Sequence, residues 1–320
     1  MSVSTDCIQL SIILPSYNDA QIINVFLHEI YAFLSTQDGQ HEIILVDDGG
    51  KDQLHEVYLA HCQQLPAHIE LNLIQLSRNF GKEAALSAGL HESKGETVII
   101  MDSDGQHPVS VLNEMIQLFQ NTDVDMIAAV QAQRQHENKL LKFLKHHFYQ
   151  FMQDSQRYQL EPNAGDFRVM KRKVVDALLA LPERQRFMKG LYSWVGFKTI
   201  YYPFQADERF EGESTFNFAR LFELALVGIT SFSLKPLRWI TRVGFLVSIM
   251  SFFYGLAIVA DTLFFEQELD GWPTLAAGIM FSAGLQLICL GVIGEYIGRI
   301  YEEVKERPIY IIDKKWTSKQ

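Results

Sequence analysis

The sequence predicts an α/β domain built on a mostly parallel sheet, followed by two membrane-crossing helices. Three features predict this. Short apolar runs alternate with stretches of helical spacing between residues 10 and 130; four of those runs end in polar clusters; and two long uncharged stretches follow beyond residue 240. Regular alternation of strand and helix lays the strands side by side and packs helices on both faces of the sheet.

The elements follow in order. Leu10–Leu14 reads as a strand ending at Pro15, and Ile22–Phe33 has helical spacing. Glu42–Val46 is a second strand closed by Asp47-Asp48-Gly49-Gly50, and Asp52–Leu65 is helical. Leu71–Leu76 is a third strand, Lys82–Leu90 a helix, Thr97–Met101 a fourth strand ending in Asp102, Val109–Phe119 a helix and Met126–Val130 a further strand. Ala164-Gly165-Asp166-Phe167-Arg168 reads as a compact polar break between helical segments.

Ligands of open α/β sheets bind outside the carboxyl ends of the strands. The polar clusters fall there: Ser16, Tyr17 and Asn18, then Asp47 and Asp48, then Ser77, Arg78 and Asn79, then Asp102 and Asp104. Asp102-Ser103-Asp104 is the sharpest of these. Residues i and i+2 of an extended chain point the same way, so two carboxylates face one cavity and call for a hard cation, Mg2+ or Mn2+, with Gln106 nearby. A solvated turn is the plainer reading of such a pair, and helix capping is the plainer reading of Asp47-Asp48. Arg78-Asn79-Phe80-Gly81-Lys82 opens a helix with positive charge, an arrangement suited to a diphosphate. Arg184, Arg186 and Lys189 either meet an acceptor phosphate or form a solvated basic end. No GxGxxG follows the first strand, and Gly50-Lys51 lacks the rest of a phosphate-binding P-loop.

Val243–Ala260 and Pro273–Gly294 carry no charge and approach the roughly 20 residues that a bilayer core requires. Lys235, Arg238 and Arg242 precede the first stretch; Arg299, Lys305 and Arg307 follow the second; the connecting EQELDGW carries only acids. That asymmetry places both ends in the cytoplasm and the short loop outside. A buried helical hairpin is the competing reading. Phe218–Leu237 is apolar but broken by Gly228 and Pro236, so it is expected to lie in the membrane interface. The basic stretch Lys139–Tyr149 either lies there too or packs on the core. The resulting division is a cytoplasmic catalytic domain over 1–216, interfacial helices over 217–238, a transmembrane hairpin over 239–300 and a cytoplasmic tail over 301–320.

A net charge of −10 disfavours a nucleic-acid partner. Cys7, Cys62 and Cys289 show neither paired spacing nor a metal pattern, as expected in a reducing compartment. The start MSVSTDCIQL lacks the basic and apolar blocks of a secretory signal.

Taken together, LPSYND, LVDDGGKD, LSRNFGKEAALSAGL, MDSDGQHP, AGDFRVMKRKVVDALLALPERQRFMKGL, RFEGEST, ITSFSLKPLR and LGVIGEYIGRIYEEVKERPIYII resemble glycosyltransferase family two. The resemblance is nearest to its polyprenyl-phosphate members, the bactoprenol glucosyltransferases and dolichyl-phosphate mannose synthases, and covers nearly the whole chain. It implies a GT-A fold, a nucleotide-sugar donor such as UDP-glucose, a polyprenyl phosphate acceptor, inversion by single displacement and, in some members, a homotetramer. It also implies residence in a bacterial cytoplasmic membrane. By the same resemblance Asp102, Asp104 and Gln106 hold the metal; Asp104, Asp166 and Arg168 lie at the reacting centre; and Pro15, Tyr17, Asp47, Asp48, Arg78, Lys82, Asp102 and Ser103 meet the donor. Arg134, Arg184, Arg186, Lys189, Arg209 and Ser214 are the candidates for the acceptor phosphate. Departures stand at Gly50 for a usual Ser, Gly105 and His107 for Leu and Asp, Thr215-Phe216 for Lys-Tyr and Gln131 for a basic residue. They leave the identity of sugar and lipid open.

Two rivals remain at this level. A processive polysaccharide synthase should carry QxxRW, but Lys235-Pro236-Leu237-Arg238-Trp239 lacks the glutamine and the chain offers only two spans. A non-catalytic scaffold of the same fold should have lost its acids, and Asp102 and Asp104 are intact.

Overall fold

The structure is a computed structural model that describes residues 7–103, 105, 107–131, 161, 164–205, 235–265 and 271–319. These fall into two compact units. One holds the residues up to 205 together with 306–319, and the other holds the helices between them.

The first unit is an 8-stranded sheet. Its strands are β1 (Ile8–Ser16), β2 (Gln40–Asp47), β3 (Ile69–Leu76), β4 (Thr97–Ile100), β5 (Met126–Gln131), β6 (Ala164–Lys171), β7 (Thr199–Phe204) and β8 (Ile312–Thr317). The order is β7-β5-β6-β4-β1-β2-β3-β8. β1 pairs in parallel with β2 and β4, β2 with β3, and β5 with β7. β6 runs antiparallel between β4 and β5, and β8 runs antiparallel to β3. Continuous apolar runs such as Ile12-Ile13-Leu14 and Ile43-Ile44-Leu45-Val46 are what a strand covered on both faces requires, and all of these residues are buried.

Helix α1 (Ala20–Leu34) buries Ile23, Phe26, Leu27, Ile30 and Leu34, an i, i+3, i+4, i+7 stripe, against one core. α2 (Leu54–Cys62) and α4 (Val109–Asn121) join it, α4 through Leu112, Met115 and Ile116. Each fully buried Leu or Ile contributes about 1.5–3 kcal/mol. α3 (Lys82–Glu92) is different: every residue from Ala84 to Leu90 is buried, and its small side chains let it pack closely on β1 and β2. α5 (Arg172–Leu179) and α6 (Met188–Trp194) complete this unit.

Two elements differ from the sequence reading. Asp166 and Arg168, expected in a polar break, lie in strand β6. Neighbours on both sides satisfy that strand's backbone, so polar side chains do not interrupt it. Its antiparallel register pairs Ile100 with Arg168, so two residues on from Ile100 and two back from Arg168, Asp102 and Asp166 come level. The segment expected as a plain tail supplies β8. Trp316 packs toward the core, the Ser318 and Leu71 backbones bond to each other, and the Lys315 ammonium meets Glu92.

The second unit is a pair of helices, α7 (Lys235–Phe265) and α8 (Trp272–Val304), which contact each other. With 31 and 33 residues they exceed a bilayer core at about 1.5 Å per residue. Both extend beyond the uncharged stretches. Lys235–Arg238, assigned above to an interfacial segment, already belongs to α7. Phe245, Phe252, Met280, Phe281 and Leu287 are exposed along these helices, a large apolar surface to leave in water. Asp104, Gln106, Arg134, residues 139–149, Arg209, Ser214 and the segment 218–234 lie outside the described residues.

Candidate active site

The carboxyl end of the sheet is shaped first by backbone. β1 ends at Ser16, and Asn18 turns the chain at φ 60. The Asn18 side chain accepts the Lys51 N–H, and Asp52 accepts the Ala20 N–H at 2.7 Å. The loops after β1 and β2 are therefore laced together. Gly49 has φ 69, and a Cβ there would collide with the Arg78 carbonyl carbon, so only glycine fits this crossing of the β2 and β3 loops.

Asp47 and Asp48 are buried, 5% and 3% exposed. One Asp47 oxygen accepts the Gly50 N–H at 2.7 Å, and the other accepts the Gln75 amide at 3.2 Å. Asp48 accepts the N–H groups of Phe80 and Gly81 at 2.7 and 2.8 Å, one on each oxygen. Burial raises both carboxyls above the ordinary range, and these N–H bonds pull back against it. Asp48 thus holds the loop Arg78–Gly81 in place, and Gly81, at φ 99, turns it into α3. Arg78 remains exposed, its guanidinium over the Phe80 ring and donating to the Asn79 carbonyl. Tyr17 is half-exposed beside this loop system, and Pro15 lies within β1 opposite Val46.

Lys82, the first residue of α3, reaches across the end of β4. Its ammonium is 2.6 Å from Asp102 Oδ1 and 2.8 Å from Asp166 Oδ2. Burial works against that charge, but Asp166 and Asp102 outweigh it and hold the lysine above its ordinary value. Burial would raise Asp166; Lys82, with Lys189 and Arg168 behind it, overrides this and lowers it. Asp166 Oδ1 is buried with no hydrogen-bond partner. Ser103 donates to Asp19 at 2.9 Å, tying this loop to that of β1. The Asp102 N–H donates to His107 Nδ1 at 2.9 Å, and the imidazole stacks on Phe167. His107, a departure from the resembled pattern, therefore shapes the turn that carries Asp102.

Arg168 is buried at 3% exposure. Its guanidinium lies over the Tyr192 ring, and Nε donates to the Gly165 carbonyl. From there it acts on Asp166 by charge. Tyr192 is fully buried with its hydroxyl unpaired, raised by burial and by Asp166. Arg186 donates to the carbonyls of Leu181 and Glu183, which shape its own loop, and leaves Nη1 buried without a hydrogen-bond partner. Arg184 donates to the Arg307 carbonyl, in the segment leading to β8. Lys189 lies within electrostatic reach of Asp166.

The structure thus brings together Lys82, Asp102, Asp166 and Lys189, with Arg168 and Arg186 behind them, and gives Asp47 and Asp48 to the loops. Two residues at this centre went unmarked in the sequence. Glu83 is pushed up to about 8 by burial and Asp166, and Tyr192 lies beneath. The available signal for Glu83 was a charged pair opening a helix otherwise made of small apolar residues.

Asp102 offers only oxygen donors from a partly exposed side chain at the strand end, which fits a hard divalent cation. Among the described residues no group of three His, Cys, Asp or Glu forms a metal cluster, and Asp104 and Gln106 are not among them.

A mixed α/β sheet with acids and a lysine gathered where β4 and β6 meet defines the class, a transferase domain of the GT-A kind. Residues 11–179 match glycosyl transferase family 2, and the chain belongs to that family; it is a glycosyltransferase. Residues 235–300 match the GtrB C-terminal hairpin. The chain is 41% identical to the SfII prophage-derived bactoprenol glucosyl transferase of Shigella flexneri, over 96% of this chain and 98% of that one. It is 39% identical to the glycosyltransferase sll0501 of Synechocystis, over 97% and 96%. It is 38% identical to the prophage bactoprenol glucosyl transferase homolog of Escherichia coli K12, over 96% and 99%.

Proposed function

We propose that the protein transfers a hexose, glucose in the first instance, from a UDP-sugar to the phosphate of a polyprenyl lipid, with inversion. The observation that carries this is the Asp102–Lys82–Asp166 constellation beside the Arg184–Lys189 basic loop. It sets an acid centre suited to a metal–diphosphate donor next to cations suited to a second phosphate. The full-length likeness to bactoprenol glucosyl transferases supports glucose and the lipid.

A phosphate monoester has a second pKa of about 6, so the acceptor is an anion near neutral pH and attacks without losing a proton. No strong general base is needed, and catalysis consists of alignment and charge. Asp102, with Asp104 and Gln106, would hold Mg2+ or Mn2+, whose charge neutralises the departing diphosphate. Lys82 stands ready to hold the same leaving group. Arg186 and Lys189, with Arg134, Arg209 and Ser214, meet the acceptor phosphate, for which a guanidinium fork is well shaped. Asp166 and Arg168 fix the positions of these cations.

We place the catalytic unit on the cytoplasmic face of a bacterial inner membrane with α7 and α8 crossing it. Residues before and after that hairpin share one sheet and so must lie on one side of the bilayer. By family resemblance the assembly is a homotetramer. The experiment is a donor screen in detergent with undecaprenyl phosphate, read as lipid-linked sugar by mass. UDP-glucose should give product with Mg2+ or Mn2+ and none in chelator. Equal product from a polyprenol lacking phosphate, or full transfer in chelator with metal verified as nil, would overturn the reaction class.

A further inference from the structure

Glu83 is a first-turn acid of α3, and such an acid is commonly explained by the helix dipole. That explanation accounts for a side chain near the helix end, whichever way it points. Here the side chain turns inward. Its Oε2 accepts the N–H of Met188, the first residue of α6, at 3.2 Å. Met188 closes the loop that carries Arg184 and Arg186, and the next residue is Lys189. The loop is held from two other directions: Arg186 bonds its own Leu181 and Glu183 carbonyls, and Arg184 bonds the Arg307 carbonyl. Glu83 supplies the hold from the donor side, one residue from the lysine that bridges Asp102 and Asp166. Its carboxyl lies within electrostatic reach of Asp166, Lys82, Lys189, Arg186 and Tyr192.

We propose that Glu83 is a positioning residue that fixes the basic loop 181–189 against the donor-binding helix through its bond to the Met188 N–H. It thereby sets the distance between the acceptor phosphate and the sugar. This rests on the reading of that loop as the acceptor site. The carboxyl touches neither substrate. Burial and Asp166 favour its neutral form, which still accepts an N–H through its carbonyl oxygen.

The test uses the full chain in detergent, with UDP-glucose and undecaprenyl phosphate. KM for each substrate and kcat are measured for wild type, Glu83→Ala, Glu83→Met, Glu83→Gln and Arg186→Ala. Removing the acceptor atom should raise the lipid-phosphate KM about tenfold or more, the scale of a small misplacement of a binding group, with the donor KM within about twofold. Glu83→Gln offers an amide oxygen to the same N–H and should restore the lipid KM to within about threefold of wild type. Glu83→Met fills the space without an acceptor and carries the test if the alanine variant does not fold. An unchanged lipid KM in Glu83→Met, or a Glu83→Gln as poor as Glu83→Met, overturns the proposal. So does loss of fold in both Ala and Met variants, which would make the residue structural. Arg186→Ala separates the two levels. If it shifts the lipid KM while Glu83→Met does not, only the proposal fails; if it shifts the donor KM alone, the reading of the loop fails as well.

Discussion

Two sets of acids flank β1 at the carboxyl edge of this sheet, Asp47 and Asp48 after β2 and Asp102 with Asp166 at the meeting of β4 and β6, and the fold uses them in opposite ways. In sequence Asp47-Asp48 and Asp102 look alike, each ending a short apolar run, while Asp166 sits in a polar break. In the structure all four oxygens of Asp47 and Asp48 accept hydrogen bonds, three from backbone N–H groups and one from Gln75. Asp102 and Asp166 face the ammonium of Lys82, and an Asp166 oxygen is left buried without a hydrogen bond. The first pair builds the loops at this edge. The second shares one ammonium and is the pair that we propose serves the reaction. What distinguishes an architectural carboxylate from a reactive one is what already satisfies it.

Substitutions should separate the two pairs. The largest effect is expected at the second. Asp102→Asn or Asp166→Asn should lower lipid-linked product formation by about a hundredfold to a thousandfold, the scale of losing one charge-stabilising group. The melting temperature of Asp102→Asn should stay within about 3 °C of wild type, because that side chain is partly exposed and makes no core contact. Retained transfer, or collapse of the fold, would erase the contrast. Asp48→Ala should do the reverse. It leaves two N–H groups of the Arg78–Gly81 loop unmatched and should cost about 2–4 kcal/mol in urea unfolding. Its kcat should fall far less than that of Asp102→Asn. The smallest effect concerns Glu83. Its folded value of about 8 lies above the ordinary 4.5, so the stability it contributes is full at low pH and is lost as pH rises through 8. Wild type should therefore lose about 2 °C of melting temperature between pH 6 and pH 9 that Glu83→Gln retains. Equal slopes would show that the carboxyl ionises without opposition from burial and Asp166.

The strands β1 to β5 and the helices between them were legible because the strands are short apolar runs bounded by turn residues and α1 and α4 carry clear helical stripes. β6 was not, since Asp166 and Arg168 interrupt its apolar pattern, and only the pairing with β4 and β5 shows that a strand tolerates them. β8 was hidden for the opposite reason. Asp313, Lys314 and Lys315 are exposed on an edge, where side chains carry little hydrophobic signal. In the site, the types and the strand ends were legible, and so was the basic segment around Arg186. The division of labour was not. That Asp48 serves the Phe80–Gly81 loop, that Arg168 is buried on Tyr192, and that Lys82 spans two acids are facts of register and loop crossing, and local sequence does not encode them. The placements of Asp104, Gln106, Arg134, Arg209 and Ser214 lie outside the described residues.

The return of β8 has a consequence for biosynthesis. Leu71 bonds to Ser318 across 247 residues of sequence, so the catalytic sheet closes only after α7 and α8 have been made. Closure of so distant a contact is late by nature. Until then β3 presents an open edge, with the row of unpaired backbone groups that invites aggregation and degradation. If α7 and α8 enter the membrane as a hairpin, β8 emerges on the side where β3 waits. If one of them fails to cross, β8 is stranded on the far side and the edge stays open. β8 thus ties completion of the sheet to the placement of α7 and α8: a chain in which only one of them crossed a bilayer would keep the β3 edge open.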